Sequence, residues 1–170
     1  MVPVFSSAVL MLRSANRGSG ISLALAFVLG AIAAGASHDQ LSIICTFGSK
    51  FGLALQRLDD WSNLYSVKAG DKRLEDLIQN KPTTVWHDLV RFGDSEDIST
   101  FKSAVESLPN TDLINAWLDS SDLHRKSFND IQNNLHLSID ELKVALDEEG
   151  ETLGIKTIKN ITEKLLLAYN

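Results

Sequence analysis

Residues 37–66 read SHDQLSIICTFGSKFGLALQRLDDWSNLYS. Within them Leu41, Ile44, Phe47, Phe51, Leu55 and Leu58 recur at intervals of three and four, the spacing that lines one face of an α-helix. The stretch therefore predicts one long helix, capped by Ser37 or Asp39, whose short polar side chains can accept from the first free N–H groups. It ends near Ser66, where Lys68-Ala69-Gly70-Asp71 reads as a turn. Gln56, Asp59, Asp60 and Asn63 stand at i, i+3, i+4 and i+7 of this helix, so the four project beside the apolar stripe as a polar cluster. Two carboxylates and an amide oxygen are hard donors of the kind Mg²⁺ takes, with water and phosphate oxygens completing its shell. A pair of aspartates on a helix is most often only a solvated face, so the cluster alone does not define a site.

Downstream the same helical periodicity continues, and the sequence predicts an all-α fold. Lys72 to Asn80 reads as a polar connection, and Pro82 sits where a proline suits the first turn of a helix over 83–92. Further helices are expected at 95–107, stopping before Leu108-Pro109, and at 111–118, 121–135, 139–148 and 154–168. Ser138-Ile139-Asp140-Glu141 has the spacing of a capping box, and Gly150 is a stop for the helix it would begin. The runs His124-Arg125-Lys126 and Asp147-Glu148-Glu149 read as solvated helix surface.

Upstream, residues 21–36 (ISLALAFVLGAIAAGA) are apolar and follow Arg13 and Arg17. As a membrane span they are short, because about 20 residues are needed, and as a secretory leader they are preceded by the apolar run Val2 to Leu12 where basic residues belong. A core helix with a small-residue packing face is the preferred reading, secretion or anchoring through 21–36 the alternative. The chain has 170 residues, 44% hydrophobic and 22% charged, a profile of one globular domain. A net charge of −6 and the lack of a basic stripe argue against a nucleic-acid partner. Cys45, the only cysteine, excludes a disulfide framework and reads as a buried thiol of a reducing, cytoplasmic protein. His38, His87, His124 and His136 lack metal-ligand spacing, Trp61, Trp86 and Trp117 read as packing residues, and Asn160-Ile161-Thr162 is a glycosylation triplet of the kind that arises by chance.

Phe51-Gly52-Leu53-Ala54-Leu55-Gln56-Arg57-Leu58-Asp59-Asp60-Trp61-Ser62-Asn63 resembles the second aspartate-rich motif of trans-isoprenyl diphosphate synthases, G-x-x-F-Q-x-x-D-D-x-x-D. Glu75-Asp76-Leu77-Ile78-Gln79-Asn80-Lys81-Pro82-Thr83 resembles the D-L-x-x-G/N-K-P-T segment that follows it, and Arg17 to Ala36 is similar to the helix that opens with K-T-G/A. The likeness is best over 12–90, with 95–170 as a helical tail, in one partial domain spanning 1–170. It implies the C-terminal half of an isoprenoid-synthase-type bundle. It also implies Mg²⁺-dependent condensation of an allylic diphosphate with isopentenyl diphosphate: Asp59, Asp60 and Asn63 as metal ligands, Gln56 and Arg17 as substrate contacts, and Lys81 as a diphosphate contact. Asn63 stands for the motif's last aspartate, and Gly18, beside Arg17, for the lysine of the upstream motif. No D-D-x-x-D precedes residue 59, where Asp39 is the only acid. The expectation is thus a truncated prenyltransferase, incomplete as it stands, or else a non-catalytic subunit pairing with a complete synthase as a homo- or hetero-oligomer.

Overall fold

The computed structural model describes residues 19–65, 73–79, 81, 83–146 and 153–169, with the side chains of 19–21 excepted. Among the described residues it is all-α: α1 (Ser19–Ala33), α2 (His38–Tyr65), α3 (Glu75–Ile78), α4 (Thr84–Phe92), α5 (Ser95–Glu106), α6 (Asp112–Ser120), α7 (Leu123–Ala145) and α8 (Leu153–Tyr169). The turn expected at 68–71, Pro82, the acidic run 147–149 and Gly150 lie outside the described residues. The chain divides into two compact units, one built from residues up to Gln56 and from Ile131 onward, the other from Arg57 to Asp130.

In the first unit, α1 ends at Gly35, whose φ of 80° is open to glycine without a Cβ clash. Ala36 N–H donates to the Ala31 carbonyl at 2.9 Å and Gly35 N–H to that of Ile32 at 3.0 Å, the paired bonds of a Schellman stop. The chain then re-enters a helix at once. Ser37 Oγ accepts from Gln40 N–H (3.3 Å) while Gln40 Oε1 accepts from Ser37 N–H (2.9 Å), so Ser37 rather than Asp39 caps α2, through a reciprocal box. Ala24 and Val28 of α1 are buried with Leu41 and Cys45 of α2, and Phe27, Phe47 and Phe51 form a cluster with ring centroids 5.4–6.3 Å apart. The backbones approach closely at Gly48, where a Cβ would lie 2.7 Å from Ala24 Cα. The segment 21–36 thus packs one side, Ala24 and Val28, against α2 and leaves Leu25 and Leu29 exposed, less buried than the core helix expected, and among the described residues no helix is long and apolar enough to cross a membrane.

Two expectations are corrected in the helices that follow. The helices predicted at 121–135 and 139–148 are one, α7, and Ser138 caps nothing: its hydroxyl, buried, donates back to the Asn134 carbonyl at 2.7 Å. Ile131, Leu135, Ile139 and Leu142 continue one buried stripe through the supposed break, and burial of that stripe outweighs a local capping signal. In α8, Thr162 of the glycosylation triplet is fully buried and bonds to the Ile158 carbonyl at 2.9 Å, so the triplet is part of a packed helix.

In the second unit the core gathers Trp61 and Leu64 of α2, Leu74 and Leu77, Val85 and Leu89 of α4, Phe101 and Ala104 of α5, and Ile114, Trp117 and Leu118 of α6. Phe101 meets Trp86 edge-on at 4.6 Å and Trp117 at a tilt at 4.5 Å, and Trp61 joins the same core, so the tryptophans are packing residues as expected. The connection read as polar carries its own anchors: Leu74 and Leu77 are buried and draw 75–78 into a short helix. α5 opens on a capping box the sequence reading passed over, with Asp94 accepting from Glu96 and Asp97 N–H and Asp97 accepting in return from Asp94 N–H.

Candidate diphosphate and metal site

The last two turns of α2 turn one side inward and the other out. Leu58, Trp61 and Leu64 are buried, while Asp59, Asn63 and Tyr65 are exposed. Asn63 Nδ2 donates to Asp59 Oδ2 at 3.4 Å, a long contact that leaves the pair presented to solvent. Asp60, half-buried, behaves differently. Its Oδ2 accepts from Thr84 N–H at 2.7 Å and from Thr84 Oγ1 at 2.9 Å, and so satisfies the N-terminal turn of α4 from outside. Gln56 lies one turn back, half-buried. The four motif residues therefore do not share one role: two face solvent and one is committed to a neighbouring helix.

Lys81 is exposed, in the same unit as Asp59 and Asp60, and its ammonium is 2.8 Å from Asp76 Oδ1. That hydrogen bond raises the lysine's pKa above the ordinary range, so Lys81 is cationic throughout the physiological span. An exposed pair of this kind gains little from its mutual attraction, so an anion with more charge can displace Asp76 readily. Arg17 lies outside the described residues. Among the described residues no group of three His, Cys, Asp or Glu is placed to hold a metal ion. The oxygens of Asp59 and Asn63 are nonetheless hard donors on an exposed face, with Asp60, half-buried and bonded to Thr84, beside them. They fit an ion that takes one or two carboxylates and fills its remaining positions with water and phosphate.

Beneath this face lies a charged cluster that the sequence reading did not single out. Asp88 of α4 is fully buried; it accepts from Trp61 Nε1 at 2.9 Å and from Arg57 Nε at 3.3 Å, and its Oδ1 lies 2.8 Å from Arg57 Nη2. Arg57 is itself only 7% exposed. Its other arm donates to Asp130 at 2.7 Å, where Arg91 joins at 2.9 Å, and His87 Nδ1 approaches Asp88 at 3.2 Å. Burial acts to raise the Asp130 pKa, but the two guanidinium groups outweigh it and hold the carboxyl below its usual value. The signal was present in the sequence: Arg57 occupies a place on the inward stripe between Ala54 and Trp61, and Asp88 falls between Val85 and Leu89. A further correction concerns His124, read as solvated surface. Its ring is half-buried against Trp61 (5.6 Å) and Tyr65 (4.7 Å), and burial lowers its pKa, while Arg125 and Lys126 beside it do face solvent and pair with Asp122.

Among the described residues the fold is thus all-α, with an Asp-Asp pair near the end of its longest helix and an exposed lysine later in the same unit. The polyprenyl synthetase family model matches residues 11–121, and the chain belongs to that family. No curated protein and no solved structure matches it.

Proposed function

We propose that the chain binds an allylic diphosphate at the outward face of α2, as a prenyltransferase of isoprenoid biosynthesis that joins such a substrate to isopentenyl diphosphate. The observation that carries this reading is the exposed Asp59–Asn63 pair on α2, in one unit with the cationic Lys81 and within the stretch matched by the family. Asp59, Asp60 and Asn63 would hold Mg²⁺, which supplies neutralisation of the charge that grows on a departing diphosphate. Lys81 would exchange Asp76 for the substrate's diphosphate and stabilise the same charge. Gln56 and Arg17 would contact substrate as the motifs imply.

A second reading has its own support: Asn63 stands where the second motif has its last aspartate and Gly18 where the upstream motif has its lysine, so a non-catalytic subunit pairing with a complete synthase fits the same site. Titration calorimetry with an allylic diphosphate, with and without Mg²⁺, tests the proposal. Metal-dependent heat that vanishes in Asp59→Ala is expected. Absence of binding under both conditions would sink the diphosphate reading and favour the non-catalytic one.

A further inference from the structure

We propose that Asp88 and Arg57 are positioning residues for Asp59, holding α2 at the roll that presents the metal-binding carboxylate to solvent; this rests on the diphosphate reading of the site. Arg57 precedes Asp59 by two residues, about 200° round the helix, so a pin at Arg57 fixes the side opposite the exposed carboxylate. Trp61, one turn on from Arg57, donates to the same Asp88 carboxylate. Two successive turns of α2 are therefore tied to one fully buried group on α4. Asp60 adds a third tie, to Thr84 one turn before Asp88. The pairs 57 with 88 and 60 with 84 climb one helix as they descend the other, so α2 and α4 are antiparallel across this clamp.

Apolar packing alone tolerates small rotations of a helix, because dispersion contacts have no preferred direction. The hydrogen bonds to Asp88 do have one, and their carboxylate has the strict geometry of a group with no solvent to fall back on. Asp130 gives Arg57 a second carboxylate partner, and Arg91 offsets the charge of Asp130, so the cluster pairs two cations with two anions and holds the pin in place. Groups that hold a metal ligand from behind orient it toward the ion, and their loss typically weakens metal affinity by about 10- to 100-fold.

Removing one charge alone would strand the other, so the test removes both. Arg57→Leu/Asp88→Leu in the full chain replaces the pair with apolar bulk, an exchange that often leaves stability intact. Affinity for inorganic pyrophosphate in the presence of Mg²⁺ is measured by calorimetry, with the folded state verified by thermal unfolding. A folded double variant whose affinity falls about 10-fold or more supports the positioning role; a folded one that binds as tightly as the parent overturns it. Should the parent itself fail to bind, the diphosphate reading falls and the roll is judged without ligand. In a Cys45→Ser, Asp59→Cys background, thiol labelling at residue 59 slows on adding the double change if α2 rolls, and an unchanged rate overturns the proposal.

Discussion

The two halves of α2 are held by different physics. From His38 to Gln56 the helix packs by shape: Leu41, Cys45, Phe47 and Phe51 meet Ala24, Phe27 and Val28, and Gly48 lets the α1 backbone approach directly. From Arg57 to Tyr65 it packs by charge as well, with Arg57, Asp60 and Trp61 each hydrogen-bonded to α4. The half that carries the acidic motif is the half tied to a buried carboxylate, whereas the Lys50–Glu141 contact of the other half is exposed. A helix that only has to fill space can rely on complementary bulk, whereas one that must aim a carboxylate gains from bonds that specify its roll.

The largest effect expected from this contrast follows loss of the buried acid. Asp88→Ala leaves Arg57 buried with only Asp130 to offset it and Trp61 Nε1 without its acceptor, and should lower stability by about 3–5 kcal/mol in urea titration. A loss near zero would show that the ion pair contributes only geometry. In the shape-packed half the matching change is Gly48→Leu. Its Cβ alone would meet the Ala24 backbone, which cannot swing aside, and overpacking of this sort costs about 1–3 kcal/mol. Equal unfolding midpoints for Gly48→Leu and the parent would mean that α1 can withdraw from α2 without loss.

How much of this was legible differs along the chain for a reason. The stripe from Leu41 to Leu58 and a cap at Ser37 or Asp39, of which the fold uses Ser37, were readable because periodicity and capping act within one helix. The continuity of α7 was missed where a local signal, Ser138 to Glu141, competed with the stripe Ile131, Leu135, Ile139, Leu142, and tertiary burial decided in favour of the stripe. The short α3 was missed because only two apolar residues, Leu74 and Leu77, anchor it. At the site, the motif pointed to Asp59, Asp60 and Lys81. It could not reveal that Asp60 bonds to the N-terminus of α4, because Thr84 is 24 residues away and only the fold brings it near. Arg57 and Asp88 were overlooked for the same reason: a charge on an apolar stripe becomes informative once its opposite is seen to meet it.

Smaller effects sharpen the comparison further. Asp94→Ala removes the box at the start of α5 and should cost about 1 kcal/mol by chemical denaturation, with the α2 face unaffected. An unchanged midpoint would show that the remaining turns hold α5 without its cap. On the acid side, His124 and Asp130 contribute to the pH dependence with the same sign. His124, with its pKa lowered by burial, binds fewer protons folded than unfolded, so its contribution is present above the unfolded value near 6.5 and is lost as pH falls below it. Asp130, depressed by Arg57 and Arg91, keeps its contribution above the unfolded value near 3.8 and loses it as pH falls through the folded one. Thermal unfolding of His124→Phe should therefore lose the decline just below pH 6.5 and keep that at more acidic pH. A decline below pH 6.5 that survives the substitution would assign it to another group.

The most direct test of the division between the outward and inward faces of α2 is a titration of Mn²⁺, a paramagnetic ion with the same taste for oxygen donors as Mg²⁺. It is followed by electron paramagnetic resonance with pyrophosphate present, in the parent, Asp59→Asn and Lys81→Ala. The parent is expected to take up the ion together with pyrophosphate, Asp59→Asn to abolish the uptake and Lys81→Ala to weaken it, while both variants unfold at the parent's temperature. Undiminished uptake in Asp59→Asn would contradict this division and place the diphosphate away from α2.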